Sequence, residues 1–345
     1  MHHFEEYQAL PTRGAVNVEQ FSIDGSQFLV FANSYSDTEY HNTESFIYKL
    51  NESTGKFFLY QTIDTSGAGD IEYFTIADKH YLAVANGYNG DTYQLNSVIY
   101  QWNEHQFVAL QNISTNGSTS FNFFTILQEW FLTVTNSFGN SVIYKFKNNQ
   151  FEKFQEIGTE RPWGSTAIAM NNETFIVFAN TQNQSSYATV FKWSGNSFLK
   201  LQFLLTHGAG RVESFNINGN VFLVFATIMF GRSYNTNSFI YKWDGGRFVL
   251  FQSIPTRGAS AWHPLRMCGQ TFLGVANYKD DGQGYKTKSV IYRFSGEQFI
   301  AYQELSTKGA KGMTSFQYNG HTYLAVANSD DGRNVNINST LYKWI

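Results

Sequence analysis

The chain has one cysteine, Cys268, and only 4 prolines in 345 residues. A single thiol excludes an internal disulfide and any zinc site built from cysteines, and lone cysteines are ordinarily small buried apolar groups. Charge is sparse as well: 24 Lys and Arg against 27 Asp and Glu leave a formal net charge of −3, with no run of one sign. Neither nucleic acid nor an anionic membrane surface is implied as a partner. No apolar stretch is long enough to span a bilayer, and no signal-peptide core precedes the first strand-like segment, so the chain is expected to be either mature or not exported. No window sustains a 3.6-residue apolar period, which leaves little room for helix. Catalytic signatures are missing too: there is no Gly-x-Ser-x-Gly elbow, phosphate loop or His-Glu-x-x-His, and the eight histidines are scattered.

What is present is a repeat. The phrase Gln-x-(Ile/Leu)-x-Thr and its variants are anchored at Gln8, Gln61, Gln111, Gln155, Gln202, Gln252 and Gln303. Successive differences of 53, 50, 44, 47, 50 and 51 residues fall in the range of solenoids and propellers. Each unit carries four short alternating runs, as in Ile71–Ile76, His80–Asn86, Ser97–Trp102 and Phe107–Ile113. These are strand signals bounded by Gly, Asn and Asp. A small twisted sheet cannot bury both faces until neighbours cover them. The expectation is therefore an all-β, seven-bladed propeller of four-stranded antiparallel blades forming a single domain over 1–345. The abundance of Phe (33), Tyr (21) and Trp (7) suits stacked sheets joined by large side chains.

The last copy ends at Trp344-Ile345, which matches only a third strand. Its missing fourth strand is at the other terminus, where Phe4–Leu10 matches Phe57–Ile63 and Phe248–Ile254. Closure by the N-terminal strand would tie both ends and remove an open sheet edge. Blades are expected near 12–64, 65–114, 115–158, 159–205, 206–255, 256–306, and 307–345 plus 4–11.

Three repeated motifs carry a resemblance. They are Thr-x-Gly-Ala (Thr12, Thr65, Thr206, Thr256 and Thr307), an Ala-Asn strand end (Asn33, Asn86, Asn180, Asn277 and Asn328), and an Ile-Tyr-Lys-Trp-like strand (Ile47, Ile240 and Leu341). In order and spacing the chain resembles the EAR repeat, also called the epitempin or EPTP repeat. The resemblance implies a propeller, an extracellular location, and binding rather than catalysis. Members such as the leucine-rich glioma-inactivated proteins use the domain to bind ADAM-type receptor ectodomains. This chain departs at Gly117-Ser118, Arg161-Pro162 and Ala226-Thr227 and carries no leucine-rich-repeat domain, so the specific receptor does not transfer.

The motif residues read as scaffold. Glycine permits a positive φ in the turn, the Thr hydroxyl is expected to satisfy turn amides, and the Asn its own downstream backbone. The repeated Gln is expected to satisfy backbone groups between blades. Six Asn-x-Ser/Thr triplets, at Asn51, Asn112, Asn116, Asn172, Asn183 and Asn338, weakly favour secretion.

Function belongs where the copies differ. The variable segments lie between second and third strands, and in an up-down meander they share one face with the connections between blades. The candidate ligand-binding residues there are Tyr35, Tyr88, Asp91, Phe138, Tyr187, Phe230, Tyr234, Tyr278, Asp280, Asp281, Asp330 and Asp331. Aromatics bury area at low entropic cost, and Asp supplies directional bonds. Calcium is conceivable at the Asp-Asp-Gly loops; Asp-Gly turns are the preferred reading, and no cofactor is expected. A second candidate group lines the channel: Glu19, Asp70, Glu72, Arg211, Glu213 and His263. Convergent carboxylates there would repel, with a cation or Arg211 and His263 as offsets; a water-filled channel with paired charges is preferred to a metal. The expected function is non-enzymatic extracellular recognition of a protein ectodomain through the loop face and channel mouth. The alternatives are a lectin for cell-surface glycans with several blade-borne sites, and more remotely a hydrolase using channel carboxylates such as Glu72 with Glu213 or Asp70.

Overall fold

The computed structural model describes every residue except 1 and 182–186, so the Asn183 triplet and most of the loop expected at 181–187 lie outside the described residues. Twenty-eight strands form seven four-stranded antiparallel sheets, and the described residues contain no α-helix. Strand β1 (Phe4–Pro11) precedes blade 1, which is β2 (Ala15–Ile23), β3 (Ser26–Asn33), β4 (Asn42–Asn51) and β5 (Lys56–Ser66). Blade 2 is β6 (Ala68–Ile76), β7 (Lys79–Asn86), β8 (Gln94–Trp102) and β9 (Phe107–Asn116). Blade 3 is β10 (Ser118–Ile126), β11 (Glu129–Asn136), β12 (Ser141–Lys147) and β13 (Gln150–Ile157). Blade 4 is β14 (Pro162–Met170), β15 (Glu173–Asn180), β16 (Tyr187–Trp193) and β17 (Phe198–Leu205). Blade 5 is β18 (Ala209–Ile217), β19 (Asn220–Thr227), β20 (Asn235–Trp243) and β21 (Phe248–Arg257). Blade 6 is β22 (Ala259–Met267), β23 (Gln270–Asn277), β24 (Lys288–Phe294) and β25 (Phe299–Ser306). Blade 7 is β26 (Ala310–Tyr318), β27 (His321–Asn328) and β28 (Asn338–Trp344), completed by β1, which pairs Phe4 with Trp344 and Pro11 with Asn338.

Alternation explains the packing. Each sheet turns one face to the blade before it and the other to the blade after it, so the second strand is buried on both sides, as in the almost fully buried run from Phe28 to Asn33. The apolar core accordingly divides into seven clusters, one at each blade interface. The cluster between blades 7 and 1 joins Phe316, Tyr323 and Leu341 to Phe31, Phe46 and Phe57.

A second device closes the ring. In every outer strand a β-bulge falls at the residue before the repeated Gln, for example at Tyr60 and Phe154. A bulge bends the strand and re-aims the neighbouring side chain. Each Gln then reaches the next blade's outer strand, where its amide nitrogen donates to a Phe carbonyl and its oxygen accepts from the same Phe N–H. Gln61 clasps Phe107, Gln111 Phe151, Gln155 Phe198, Gln202 Phe248 and Gln252 Phe299, all at 2.7–2.9 Å. Gln303 clasps Phe4 and Gln8 clasps Phe57, so the N-terminal strand carries a clasp on either side.

Two expectations about motif residues need correction. The Thr of Thr-x-Gly-Ala does not serve turn amides: Thr65 Oγ1 donates to the Thr43 carbonyl at 2.8 Å and bonds the hydroxyl of Ser45 at 3.0 Å, within its own blade. Being the last buried residue of an outer strand, it faces the third strand rather than the turn. The strand-end Asn serves the chain on both sides, not only downstream. Asn33 accepts from Arg13 N–H at 3.1 Å in the preceding turn and donates to the Glu44 carbonyl at 2.8 Å. The glycine does take the expected conformation, with φ of +53° at Gly67, where a Cβ would lie 2.4 Å from the Tyr88 carbonyl oxygen. That close approach, repeated at Gly14, Gly258 and Gly309, seats a blade's loop on the turn that leads into the same blade.

Candidate functional site

The loops after the second strands and the turns between blades emerge together, and their aromatics make a continuous arc. Tyr40 packs on Tyr35 (5.9 Å between ring centroids), Tyr35 on His41 (4.8 Å), His41 on Tyr88 (4.8 Å), Tyr88 on Tyr93 (4.4 Å) and Tyr93 on Phe138 (4.7 Å). The Arg161 guanidinium, 5.5 Å over Phe138, extends the arc to blade 4. Burial between rings lowers the His41 pKa, which favours the neutral imidazole. On the opposite half of the face, Lys279 sits over the rings of Tyr234 (4.7 Å) and Tyr285 (4.8 Å), and Tyr285 packs edge-on against Tyr278. Phe230 stacks on His207 at 4.5 Å. Tyr187 stands apart, 46% exposed at the periphery of blade 4 and nearest Phe203 of the outer strand.

The candidate carboxylates are engaged with the backbone. Asp280 accepts from Gly282 and Gln283 N–H and pairs with Arg257 at 3.3 Å. Asp281 reaches the blade-5 loop, accepting from Ser233 Oγ (2.6 Å) and Tyr234 N–H (2.9 Å). Asp330 accepts from Gly332 N–H, and Asp331 from Arg333 and Asn334 N–H. The contacts of Asp280, Asp330 and Asp331 with the backbone two or three residues on are turn-forming, and no group of three or more His, Cys, Asp or Glu is placed to hold a metal among the described residues. Asp91 is exposed, its own N–H donating to Asn89 Oδ1.

The channel receives the acidic side chains that strand alternation directs inward. Glu19, Asp70, Glu72 and Glu213 line a cavity of about 90 Å³ with Asn17, Asn122 and Arg211. Asp70 accepts from Phe121 N–H at 3.1 Å and Glu72 from Phe123 N–H at 2.9 Å, both on the next blade's inner strand. Burial, followed by mutual repulsion with Glu72, Asp70 and Glu213, pushes Glu19 well up. Burial lifts Glu72 to about 8 and Glu213 to about 7, the latter restrained by Arg211. Asp70 is raised by burial and pulled back by Arg211. His263 does not offset this charge as expected: burial lowers it to about 4, so it is neutral, and it bonds Ser315 on blade 7 at 2.8 Å. Arg211 instead crosses from blade 5 to the carbonyls of Gly69 (3.0 Å) and Val16 (3.4 Å).

Above the Arg211 bar lies a recess of about 210 Å³ that alternation does not reveal. Every inner strand opens with a bulge, and the skipped residues Val16, Gly69, Thr119, Trp163, Ser260 and Lys311 line this mouth with Ser34 and Arg211. Trp163 is 44% exposed, and its indole lies over Gly210, where an added Cβ would meet it at 3.1 Å. Lys311 lies 4.5 Å over the Tyr278 ring. Trp163 and Lys311 are out of phase with the period-2 pattern, and their only sequence signal is being bulky or charged where other copies have Gly, Ser, Thr or Val.

Comparison with known proteins agrees with the propeller fold. Stretches of 41% identity over 99 and 97 residues link the chain to the mouse and human thrombospondin-type laminin G domain and EAR repeat-containing proteins. Those matches cover 29% and 28% of this chain but only 15% and 14% of the relatives' lengths. The crystal structure of BBS1N in complex with ARL6DN superposes with a TM-score of 0.59 at 12% identity, covering 98% of this chain and 96% of that one, which is a likeness of fold. The EPTP domain matches residues 3–51, 56–103, 106–146, 197–244, 247–295 and 298–345, leaving out the divergent copy that holds Arg161 and Trp163. With six matched copies and a seventh blade built to the same plan, the chain belongs to the EPTP family.

Proposed function

We propose that the chain is a non-enzymatic recognition module that binds a protein partner outside the cell through its loop-bearing face and channel mouth. The observation that carries this reading is the arc from Tyr40 to Phe138, in which rings from three blades hold one another in place. Pre-positioned aromatics lose little entropy on contact, and they are the side chains on which interface energy concentrates. The arc crosses blades, so it makes one asymmetric surface rather than seven equivalent pockets. That favours a protein over a multivalent glycan. The membership of a repeat family shared with proteins that also contain a laminin G-type domain is consistent with an interaction role.

The test is a panel of cell-surface ectodomains run beside a glycan array. A protein ligand should be bound by the wild-type chain and lost, by tenfold or more, in the Tyr88→Ala/Phe138→Ala double variant with its melting temperature retained. Binding confined to glycans, or binding indifferent to both changes, would refute the proposal.

A further inference from the structure

We propose that the channel mouth is a carboxylate-receiving site, in which Lys311 and Arg211 take the acid group of an aspartate or glutamate side chain presented by the protein partner against the indole of Trp163. The inference rests on the reading of the loop face as a protein-binding surface, and it names what that partner must insert at the centre.

Two cations converge on one recess. The Arg211 guanidinium is fixed by carbonyls of blades 1 and 2, so its position costs nothing further on binding. Lys311 has no hydrogen bond or ion pair among the described residues, and its ammonium rests on the Tyr278 ring. The half-buried ammonium keeps contact with solvent at the recess, and a carboxylate placed there would bond it directly in a charge-assisted hydrogen bond. Burial and the nearby Arg211 charge lower Lys311 to about 8, against the pull of Asp330, so it remains cationic at neutral pH. Asp330 accepts from the Gly332 N–H at 2.6 Å and attracts Lys311 without hydrogen-bonding it.

Size and charge narrow the ligand. A recess of about 210 Å³ accommodates one side chain, not a helix or strand. Two cations in so small a recess call for one compact anion, and the apolar wall of Trp163 suits a side-chain carboxylate better than inorganic phosphate. Trp163, lying over Gly210, gives an apolar wall for the methylenes that precede the acid.

The probe is N-acetylglutamate methylamide, titrated while the Trp163 indole N–H is followed by NMR, with N-acetylglutamine methylamide, glucuronate and inorganic phosphate in parallel. A saturable shift with the glutamate probe is expected, at least tenfold stronger than with the glutamine probe. Lys311→Met should weaken it tenfold or more, whereas Lys286→Met, which removes a nearby exposed charge, should not. Lys311→Gln serves if the Met variant melts early. No saturable shift, equal binding of the glutamine probe, or full affinity in the Lys311 variants would overturn the proposal. Tighter binding of glucuronate would transfer the site to an acidic glycan, and of phosphate to a phosphorylated ligand; either overturns it. A partner that is lost in the Tyr88→Ala/Phe138→Ala variant yet kept in Lys311→Met would sink the mouth site while leaving the protein-binding reading intact.

Discussion

The amide clasp shows how much one side chain can specify when it recurs. Each Gln satisfies both polar groups of a Phe on the adjacent blade, so its loss orphans two backbone groups at once. Leaving a buried donor or acceptor unmade costs about 1–3 kcal/mol. Gln202→Ala is therefore expected to lower stability by about 1–3 kcal/mol in urea denaturation, and Gln202→Glu to recover at most part of that, since a carboxylate accepts but cannot donate. A stability unchanged by Gln202→Ala would reduce the clasp to a bystander. The structural role of the Gln was legible because a catalytic residue is not needed seven times over. Its target was not, because the bulge that turns it toward Phe248 leaves no mark in an alternating sequence. The same blindness hid Trp163 and Lys311, which occupy bulged positions, while Glu19, Asp70, Glu72, Arg211 and Glu213 keep the alternation and line the channel cavity.

At the scale of the element, strand number and order followed from composition and spacing, and the match of Phe4–Leu10 to other outer strands located the missing piece of blade 7. The extensions of β8 back to Gln94 and of β20 back to Asn235 did not, because these segments pair through backbone groups while reading as polar loop. The same holds for the loops themselves, where the bonds by which Asp281 joins two blades leave no mark in the sequence. Strand β1 is the element with most depending on it. It supplies the outer pairing of blade 7, buries Phe4 and Leu10, and carries two of the clasps. Removing residues 2–11 is expected to lower the melting temperature by more than 10 °C and to expose dye-binding apolar surface between blades 7 and 1, since burying Phe or Leu is worth about 2–3 kcal/mol each. Differential scanning calorimetry with dye binding checks this, and an unchanged melt would refute closure by that strand.

For the molecule as a whole, the channel couples stability to pH. Glu72, Glu213 and Glu19 hold protons in the folded chain that the unfolded chain releases above about 4.5, so stability falls as pH rises from there through about 7 and 8. His263 acts in the other direction, because the unfolded chain gains a proton below 6.5 that the folded chain refuses until about 4. Stability should consequently peak in mildly acidic solution. Glu72→Gln keeps an acceptor for Phe123 N–H while removing the buried charge. It is expected to raise the melting temperature at pH 8.5 and to leave it within about 1 °C of wild type at pH 5.5; equal melts at both values would show that the belt is not a source of the pH dependence.

The pairing of β1 with β28 also has a consequence in time. Strand β1 leaves the ribosome over 300 positions before the residues it pairs with. At roughly 5–20 residues per second, β1 waits on the order of tens of seconds, its Phe4 and Leu10 uncovered, while six blades assemble behind it. Nascent propellers of this kind are thus most vulnerable at β1, and a chaperone that shields that strand would act on the one whose docking must come last.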